Sequence, residues 1–278
     1  MSGFPRTVVG GVSMPRLIIG SNWFLGYSHT SLAQDRFIKS YQTRKNIADI
    51  CTVFLEAGVD AIMGMGDPLM MDAAHDAEQR TGRKMIFVLT PSWDTKAAMT
   101  DQGIIAKAVD GCLEKGGTFV LPHQNVTDAL TDKRAGIIRD LDIITKLIRE
   151  RGMIPGLSTH MPEVPVYADR QGADVETYIQ IYNAEGFLMQ IEIDWVQRMI
   201  RDAKKPVMTI KPLAAGRLMP IVGLAFVWNT IRDQDMVTIG CTTPDEAKEC
   251  IELSLDLLER RMPDNELQYT RSKASLRG

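Results

Sequence analysis

A chain of 278 residues is long enough for one large α/β barrel or for two small domains. Its 45% hydrophobic and 24% charged residues are ordinary for a globular protein, and no apolar run is long enough to span a membrane. The net charge of −3 excludes a strongly basic chain, so we expect neither nucleic-acid nor membrane partners.

The compartment is predicted from the cysteines and the amino terminus. The four cysteines have neither CxxC nor zinc-site spacing, which is typical of buried free thiols. Residues 1–6 lack the basic and then apolar pattern of a signal peptide. We therefore expect a cytoplasmic protein with a small-molecule substrate, and the sequence leaves its oligomeric state open.

Hydrophobic periodicity predicts a regular alternation of strands and helices. Residues 7–14 form a predicted hairpin with Gly10-Gly11 in its turn, and residues 23–40 form a predicted polar and aromatic loop. The predicted strands cover residues 16–22, 59–63, 84–90, 118–121, 153–157, 177–182, 207–210 and 236–239. The predicted helices cover residues 46–55, 69–80, 104–115, 135–151, 164–171, 194–203, 221–232 and 244–260.

Eight strand–helix units favour a parallel sheet closed into a (β/α)8 TIM barrel of the α/β class. The alternative is an open doubly wound sheet, but no glycine-rich dinucleotide fingerprint follows an early strand. We expect one domain over residues 1–262 and a polar tail over residues 263–278.

Several local patterns follow these strands in a characteristic order. They are Gly156-Leu157-Ser158, the stretch Gln180-Ile181-Tyr182-Asn183, Lys211-Pro212-Leu213-Ala214-Ala215-Gly216, and Ile239-Gly240 followed by Asp245-Glu246-Ala247. The series resembles the aldo/keto reductase superfamily of TIM barrels, and the hairpin resembles that family's plug at the barrel bottom. The resemblance implies an aldo/keto reductase-like barrel with a site for NADP at its mouth.

The family's catalytic tetrad of Asp, Tyr, Lys and His is mostly missing. The second strand runs into Gly64-Met65-Gly66 without the family's aspartate or tyrosine. Pro91 follows Thr90 where the family has its lysine. Only His123 matches a member of the tetrad, so the resemblance does not imply ordinary carbonyl reduction.

The family's cofactor contacts are also reduced. Ser158 and Gln180 match positions that hold the nicotinamide amide, but Thr159 replaces an asparagine. Ile210 replaces the ring that stacks on the nicotinamide, and the residues after the eighth strand lack a cation for a 2′-phosphate. NADP stays a possible cofactor on this resemblance.

In a barrel, the carboxyl ends of all strands meet at one mouth. The residues predicted there are Ser21, Asn22, Trp23, Asp67, Ser92, Trp93, Asp94, His123, Gln124, Ser158, Thr159, His160, Gln180, Tyr182, Asn183, Lys211, Cys241 and Thr242. Of the four histidines, His123 and His160 fall in this set and His29 falls in the loop that covers it.

The predicted catalytic residues are His123, Lys211, His160 and Asp94. Imidazole is the usual proton carrier near neutral pH, although His123 is also interpretable as a structural histidine kept from the reductase barrel. Lys211 ends a buried strand, where burial lowers an amine's pKa and suits it to form a Schiff base, act as a base or hold an anion. The alternative is a lysine that extends to solvent.

Carboxylates after strands have two interpretations. Asp67 and Asp94, with His123 and His160, would make a set for a divalent metal, but no HxH or HExxH spacing supports it. Capping of the next helix is the favoured role of Asp67. We therefore predict no metal ligands, and a divalent metal stays a possible but unfavoured cofactor.

A sugar-like ligand would need aromatic faces and hydrogen-bonding side chains. The predicted substrate-binding residues are Asn22, Trp23, Gln124, Ser158, Gln180, Tyr182 and Asn183. The aromatic residues among them are equally interpretable as packing beneath the first loop.

Three functions follow from these patterns. The favoured one is a divergent aldo/keto reductase-like enzyme that acts on a small carbonyl or sugar-like compound by non-redox acid/base chemistry, as a lyase, aldolase or isomerase. In it His123 is the acid/base, and Lys211 is an electrophile, a Schiff base or an anion anchor. The alternatives are an atypical NAD(P)H-dependent oxidoreductase and a barrel that binds a small molecule without catalysis.

Overall fold

The computed structural model describes residues 3–264 and 266–270. The strands are β1 (Arg6–Val9), β2 (Val12–Pro15), β3 (Leu17–Gly20), β4 (Ala61–Gly64), β5 (Ile86–Leu89), β6 (Phe119–Val120), β7 (Thr131–Asp132), β8 (Ile137–Ile138), β9 (Ile154–Pro155), β10 (Leu157–Ser158), β11 (Tyr178–Ile181), β12 (Val207–Ile210) and β13 (Met236–Ile239). The helices are α1 (Asn22–Leu25), α2 (Leu32–Tyr41), α3 (Arg44–Glu56), α4 (Pro68–Thr81), α5 (Thr95–Ala98), α6 (Gly103–Glu114), α7 (Gln124–Leu130), α8 (Leu141–Glu150), α9 (Val164–Gln171), α10 (Ile193–Asp202), α11 (Pro220–Thr230) and α12 (Pro244–Leu258).

The parallel sheet closes into a barrel through one interrupted strand. Its order is β10-β11-β12-β13-β3-β4-β5-β6-β9, and only Gly156 separates β9 from β10. The amides of Gly156 and Ser158 donate to the β6 side, at Val120 and Pro122, whereas the amide of Leu157 donates to Thr177 before β11. β9 and β10 therefore act as one fifth strand. The (β/α)8 prediction is confirmed, and the open-sheet alternative is wrong.

Alternate residues of each barrel strand face opposite sides. The inward-facing side chains of these strands form one apolar cluster with Leu121 after β6 and with Val9 and Met14 of the amino-terminal hairpin. Its other members are Ile18, Ala61, Met63, Val88, Phe119, Ile179, Met208 and Met236. Their neighbours along the strands pack against the helices in a second, larger cluster. With both faces of the strands buried, the lower barrel is solid, and only the upper rim is left for chemistry.

The predicted hairpin is confirmed and covers the amino-terminal end of the barrel. Strands β1 and β2 pair antiparallel, and Gly10 and Gly11 both take positive φ values, 53° and 83°. Such a turn suits glycine, because it has no Cβ. Val9 and Met14 are buried in the inward-facing cluster, so the hairpin seals the end opposite the mouth.

Two predicted segments are wrong. Residues 23–40 are not one loop, because α1 begins at Asn22 and Ser31 caps α2 by accepting a hydrogen bond from the amide of Gln34. Residues 135–140 are not helical. The carboxylate of Asp132 accepts from two turn amides, and Gly136 takes a φ of 66°, which makes the β7–β8 hairpin instead.

Two short helices, α5 and α7, lie in segments where the sequence predicted none. In the predicted tail, Glu266–Gln268 form a 3-10 turn, and residues 271–278 lie outside the described residues. Within the described ranges, no helix combines the length and the apolar character that crossing a bilayer requires.

Replacing Gly156 by alanine should destabilise the protein by about 1–3 kcal/mol, because the fifth strand has no room for a side chain. A Cβ there would lie 2.8 Å from Leu121 Cγ and 2.8 Å from the carbonyl oxygen of Thr177. The control is Gly111→Ala within α6, where a Cβ meets nothing within 4 Å. That variant should gain about 0.5–1 kcal/mol. Urea unfolding measures the stability of both variants. A Gly156→Ala midpoint equal to that of the natural protein would contradict the claim that the fifth strand has no room for a side chain.

Candidate active site

A cavity of about 790 Å³ opens at the carboxyl ends of the strands. Backbone and apolar groups such as Gly20, Met63, Ile179 and Ile210 form part of its wall. Seven of the predicted site residues line it: Asn22, Trp23, His123, Gln124, Ser158, His160 and Lys211. Its upper part extends past the end of β13 towards Glu246 and Glu249 of α12.

Four of the eleven residues predicted as catalytic or substrate-binding lie elsewhere in the structure. Asp94, Gln180, Tyr182 and Asn183 do not belong to the described lining of the cavity. Asp94 caps α5, because its Oδ1 accepts hydrogen bonds from the amides of Lys96 and Ala97. The analogous capping role of Asp67 is confirmed by its bond from the amide of Leu69 at 2.9 Å.

Gln180 in the sixth barrel strand and Tyr182 just after it lie away from the cavity for a reason of geometry. Ile179 faces the cavity, so Gln180 and Tyr182 share the opposite face, towards the helices. Gln180 is buried, and its Oε1 has no hydrogen-bond partner in the described chain. Tyr182 donates to Thr230 Oγ1 at 3.0 Å.

Asn183 closes the turn that follows this strand. Its Oδ1 accepts a hydrogen bond from the amide of Phe187 at 2.8 Å, and its Nδ2 donates to the carbonyl of the same residue at 3.0 Å. A side chain that is committed to its own turn in this way holds the backbone in shape and is not available to a ligand.

Lys211 faces the cavity because its backbone is turned. Ile210 already faces the cavity at the end of β12, so a regular strand would direct Lys211 outwards. A φ of 62° at Lys211 redirects the chain, and this conformation costs a non-glycine residue roughly 1 kcal/mol. The side chain is half-buried, and its Nζ lies 3.1 Å from Nε2 of His29. Burial lowers the pKa of Lys211 to about 8.

His123 is held by its own neighbours at the start of α7. The Nδ1 of His123 lies 2.7 Å from Oδ1 of Asn125, and Nδ2 of Asn125 donates to Ser92 Oγ at 2.9 Å. The backbone amide of Asn125 lies farther from the same Nδ1, at 3.5 Å, so the shorter contact favours the tautomer with its proton on Nδ1 and with Nε2 as the proton acceptor. Asn125 was missed from the sequence, although an amide two residues after a histidine is a recognisable signal.

His160 is held neutral by its surroundings. Burial and the nearby positive charge of Lys211 lower the pKa of His160 to about 4. Its amide donates to Oδ2 of Asp128 at 3.2 Å, and the hydroxyl of Thr159 donates to Oδ1 of the same carboxylate at 2.5 Å. Burial raises the pKa of Asp128, a residue that the sequence did not indicate.

Trp23 packs against the end of the eighth barrel strand. A Cβ on Gly240 would lie 2.6 Å from Cδ1 of the Trp23 ring, so glycine is required for this contact. The ring thus forms a flat apolar wall above Ile239 and Gly240, and it can support the face of a sugar or a short carbon chain.

The described residues contain no group of three or more His, Cys, Asp or Glu side chains arranged to hold a metal ion. The cavity instead gathers nitrogen bases: Lys211, His29, His123 and His160. Such a set suits proton transfer and the binding of an electron-rich or anionic group.

Comparisons with solved structures show the fold. A protein described as an aldo-keto reductase from Pseudomonas aeruginosa is 15% identical, with 91% of this chain and 95% of that chain covered and a TM-score of 0.66. An aldo/keto reductase from Brucella melitensis is 13% identical, with 95% of each chain covered and a TM-score of 0.61. A ribulose-1,5-bisphosphate carboxylase/oxygenase from Pyrococcus horikoshii is 13% identical, with 97% of this chain and 63% of that chain covered and a TM-score of 0.54.

No protein-family model and no curated protein matches the chain. The chain therefore has the aldo/keto reductase-like barrel that the sequence patterns predicted, with a strongly diverged sequence. At these identities, the likeness extends to the fold and not to the reaction.

The residues present do not fit a nicotinamide at the mouth. Of the two side chains that the resemblance assigned to its amide, Ser158 lines the cavity and Gln180 faces the helix layer. Ile210 offers an aliphatic side chain where the family has a stacking ring. We derive no chemical step through a nicotinamide.

Replacing Lys211 by methionine should stabilise the protein at neutral pH by about 1–3 kcal/mol, because burial makes the charged amine costly. The folded pKa of about 8 lies below the ordinary value of 10.5, so the unfolded chain binds the proton more tightly between these values. The stability of the natural protein should therefore rise with pH across this window, and the advantage of Lys211→Met should shrink to nothing above it.

Urea unfolding of both proteins from pH 7 to pH 11 measures this difference. Lys107→Met is the control, because Lys107 is exposed on α6, and its replacement should leave stability within about 0.5 kcal/mol at every pH. If the difference in unfolding free energy between Lys211→Met and the natural protein stayed constant from pH 7 to pH 11, the result would contradict a buried amine.

Proposed function

We propose that the protein is an enzyme that acts on a small carbonyl or sugar-like compound by non-redox chemistry, with Lys211 forming a Schiff base. The observation that carries the proposal is the half-buried amine of Lys211, whose pKa is lowered to about 8, at the mouth of a closed barrel. An amine with such a pKa is partly neutral near physiological pH, and only the neutral amine attacks a carbonyl carbon.

The chemistry is a sequence of balanced steps. The nitrogen of Lys211 adds to the substrate carbonyl carbon, and the carbonyl oxygen leaves as water, which gives an iminium ion. The iminium draws the electron pair from a neighbouring C–H or C–C bond as that bond breaks. Nε2 of His123 accepts the proton that is released and later returns it to carbon. Water then adds to the iminium carbon and the C–N bond breaks, which releases the product carbonyl and the free amine of Lys211, so an aldolase, lyase or isomerase reaction needs no oxidant.

Three further features support this assignment. His160 stays neutral at physiological pH because its pKa is lowered to about 4, so it accepts or donates hydrogen bonds without adding charge. Asn125 and Ser92 fix the tautomer of His123. Asn22, Gln124 and Ser158 provide hydrogen-bonding groups for hydroxyls around the reacting carbon.

The four free cysteines are compatible with a cytoplasmic location, which we propose with the function.

Trapping of the Schiff base tests the proposal. The protein is incubated at pH 7.5 with glycolaldehyde, dihydroxyacetone or pyruvate, reduced with borohydride, and digested for mass spectrometry. We expect one of these probes to leave an adduct on Lys211 well before it modifies exposed lysines, because their amines are protonated at this pH. Lys211→Met should lose the adduct, and Lys107→Met should keep it. Modification of Lys211 no faster than that of Lys107 with every probe would reject the lysine role.

An atypical NAD(P)H-dependent oxidoreductase is the second candidate. It is favoured by the fold relatives that are described as reductases and by the extension of the cavity along β13 towards α12. A ligand that binds only the folded state raises the unfolding temperature. The Schiff-base proposal predicts no thermal shift with millimolar NADPH or NADH, and a clear saturable shift would favour the oxidoreductase.

A further inference from the structure

We propose that His29 is the proton acceptor for Lys211: its Nε2 takes a proton from the amine as the amine attacks a carbonyl and returns that proton to the departing oxygen. The inference rests on the proposed Schiff-base function and adds a second catalytic group to it. It assigns a role in the chemistry to the loop between α1 and α2.

The contact between the two side chains has a defined direction. Nδ1 of His29 lies 2.9 Å from the carbonyl oxygen of Tyr27, which only accepts hydrogen bonds, so Nδ1 carries the proton. Nε2 is then unprotonated, and it lies 3.1 Å from Nζ of Lys211. The lysine therefore donates to His29, and the path of the proton is already formed.

The loop is built to keep His29 in this place. The Oδ1 of Asp35, on α2, accepts from the amide of Ser28 at 2.8 Å and from its hydroxyl at 2.5 Å. Thr30 joins this network, since its Oγ1 lies 2.8 Å from Ser28 Oγ. These bonds flank His29 on both sides and fix the turn that carries it.

Both partners have a backbone that is unusual for their residue type. His29 has a φ of 60° and Lys211 has a φ of 62°, and each lies in the left-handed region that residues with a Cβ rarely occupy. Such strain is retained where the surrounding structure holds it, and it is concentrated at functional sites. Two strained residues from distant parts of the chain meet here through their side chains, which a purely structural turn does not require.

The charges around the pair favour this proton path. The groups that face it are His160 from the loop after β10, His123 from the start of α7, and Asp35 from α2. Partial burial and the positive charge of Lys211 lower the pKa of His29, so its ring is neutral while the amine is protonated. The pKa of His160 is lowered to about 4, so that ring is a weak proton acceptor.

Forming an iminium from the neutral amine takes up one proton from solvent in total, and the step needs no oxidant or reductant. As the N–C bond forms, Nζ loses one proton to Nε2 of His29, and the carbonyl oxygen becomes the hydroxyl of a carbinolamine after it gains a proton from water. The imidazolium of His29 then gives its proton to that hydroxyl as the C–O bond breaks. Water leaves, and the nitrogen lone pair forms the iminium.

Two substitutions separate proton transfer from positioning. His29→Asn tolerates the left-handed backbone and can still bond to the carbonyl of Tyr27, but its amide does not reach Lys211. His29→Gln places an amide oxygen near the position of Nε2, so it can accept a hydrogen bond from Lys211 without removing a proton. A positioning role would be rescued by glutamine, and a proton-transfer role would not.

The experiment measures the rate of borohydride-trapped adduct formation on Lys211 between pH 6 and pH 10, with whichever of glycolaldehyde, dihydroxyacetone and pyruvate traps the natural protein. We expect both variants to be slower by about a hundredfold or more near neutral pH, which is the lower end of the range of a general base. The defect should persist above pH 8, because an amine that is already neutral still loses a proton as it attacks the carbonyl. Thermal unfolding midpoints confirm that the variants are folded.

The outcomes distinguish the two proposals. Equal pH–rate profiles for the natural protein and both variants would overturn the role of His29 and leave the Schiff base in place. A natural rate in His29→Gln alone would reduce His29 to a positioning residue and would also overturn the inference. Failure of the natural protein to form any adduct on Lys211 would reject the proposed function, and this inference with it.

Discussion

The amine of Lys211 is largely buried from solvent, and several features of the barrel mouth are arranged around it. Burial alone lowers the pKa of Lys211, because no carboxylate of the described chain pairs with it. A left-handed residue at the end of β12 turns the side chain inwards, and three imidazoles line the same cavity. Each of these costs stability: a strained backbone, a desolvated cation and partly buried polar rings. Proteins retain such costs at functional sites, where the rest of the fold compensates for them.

The barrel separates this costly region from the parts that provide stability. The hairpin and the inward-facing cluster fill the amino-terminal half, and the interrupted fifth strand closes the ring through Gly156. The proposed reacting groups follow strand ends or, for His29, lie in the loop between α1 and α2, so these loops can change without disturbing the core. A barrel shared with proteins described as reductases can therefore hold a different set of side chains at its mouth, and the pocket is what identifies the chemistry.

Sequence reasoning was most accurate where one periodicity dominated. Strands β12 and β13 and helix α9 have the predicted bounds, because Lys211, Gly240 and Gly172 follow them directly and end each pattern. The sixth barrel strand shows the limit. Alternation indicates that Gln180 and Tyr182 share a face, but both faces of a barrel strand are apolar, so the sequence does not indicate which one is inside. The left-handed backbone at Lys211 and its contact with His29 depend on the tertiary structure, so local sequence patterns do not predict them.

The charge state of Lys211 is the measurement that tests the account most directly. Competitive acetylation of the folded protein across the pH range, with the Lys211 peptide quantified by mass spectrometry, gives the pKa of this one amine. The same peptide from the unfolded chain provides the reference. The account predicts a midpoint of about 8 in the folded protein. A folded midpoint at the ordinary value of 10.5 would show a solvated lysine and would contradict the buried nucleophile on which the proposed chemistry rests.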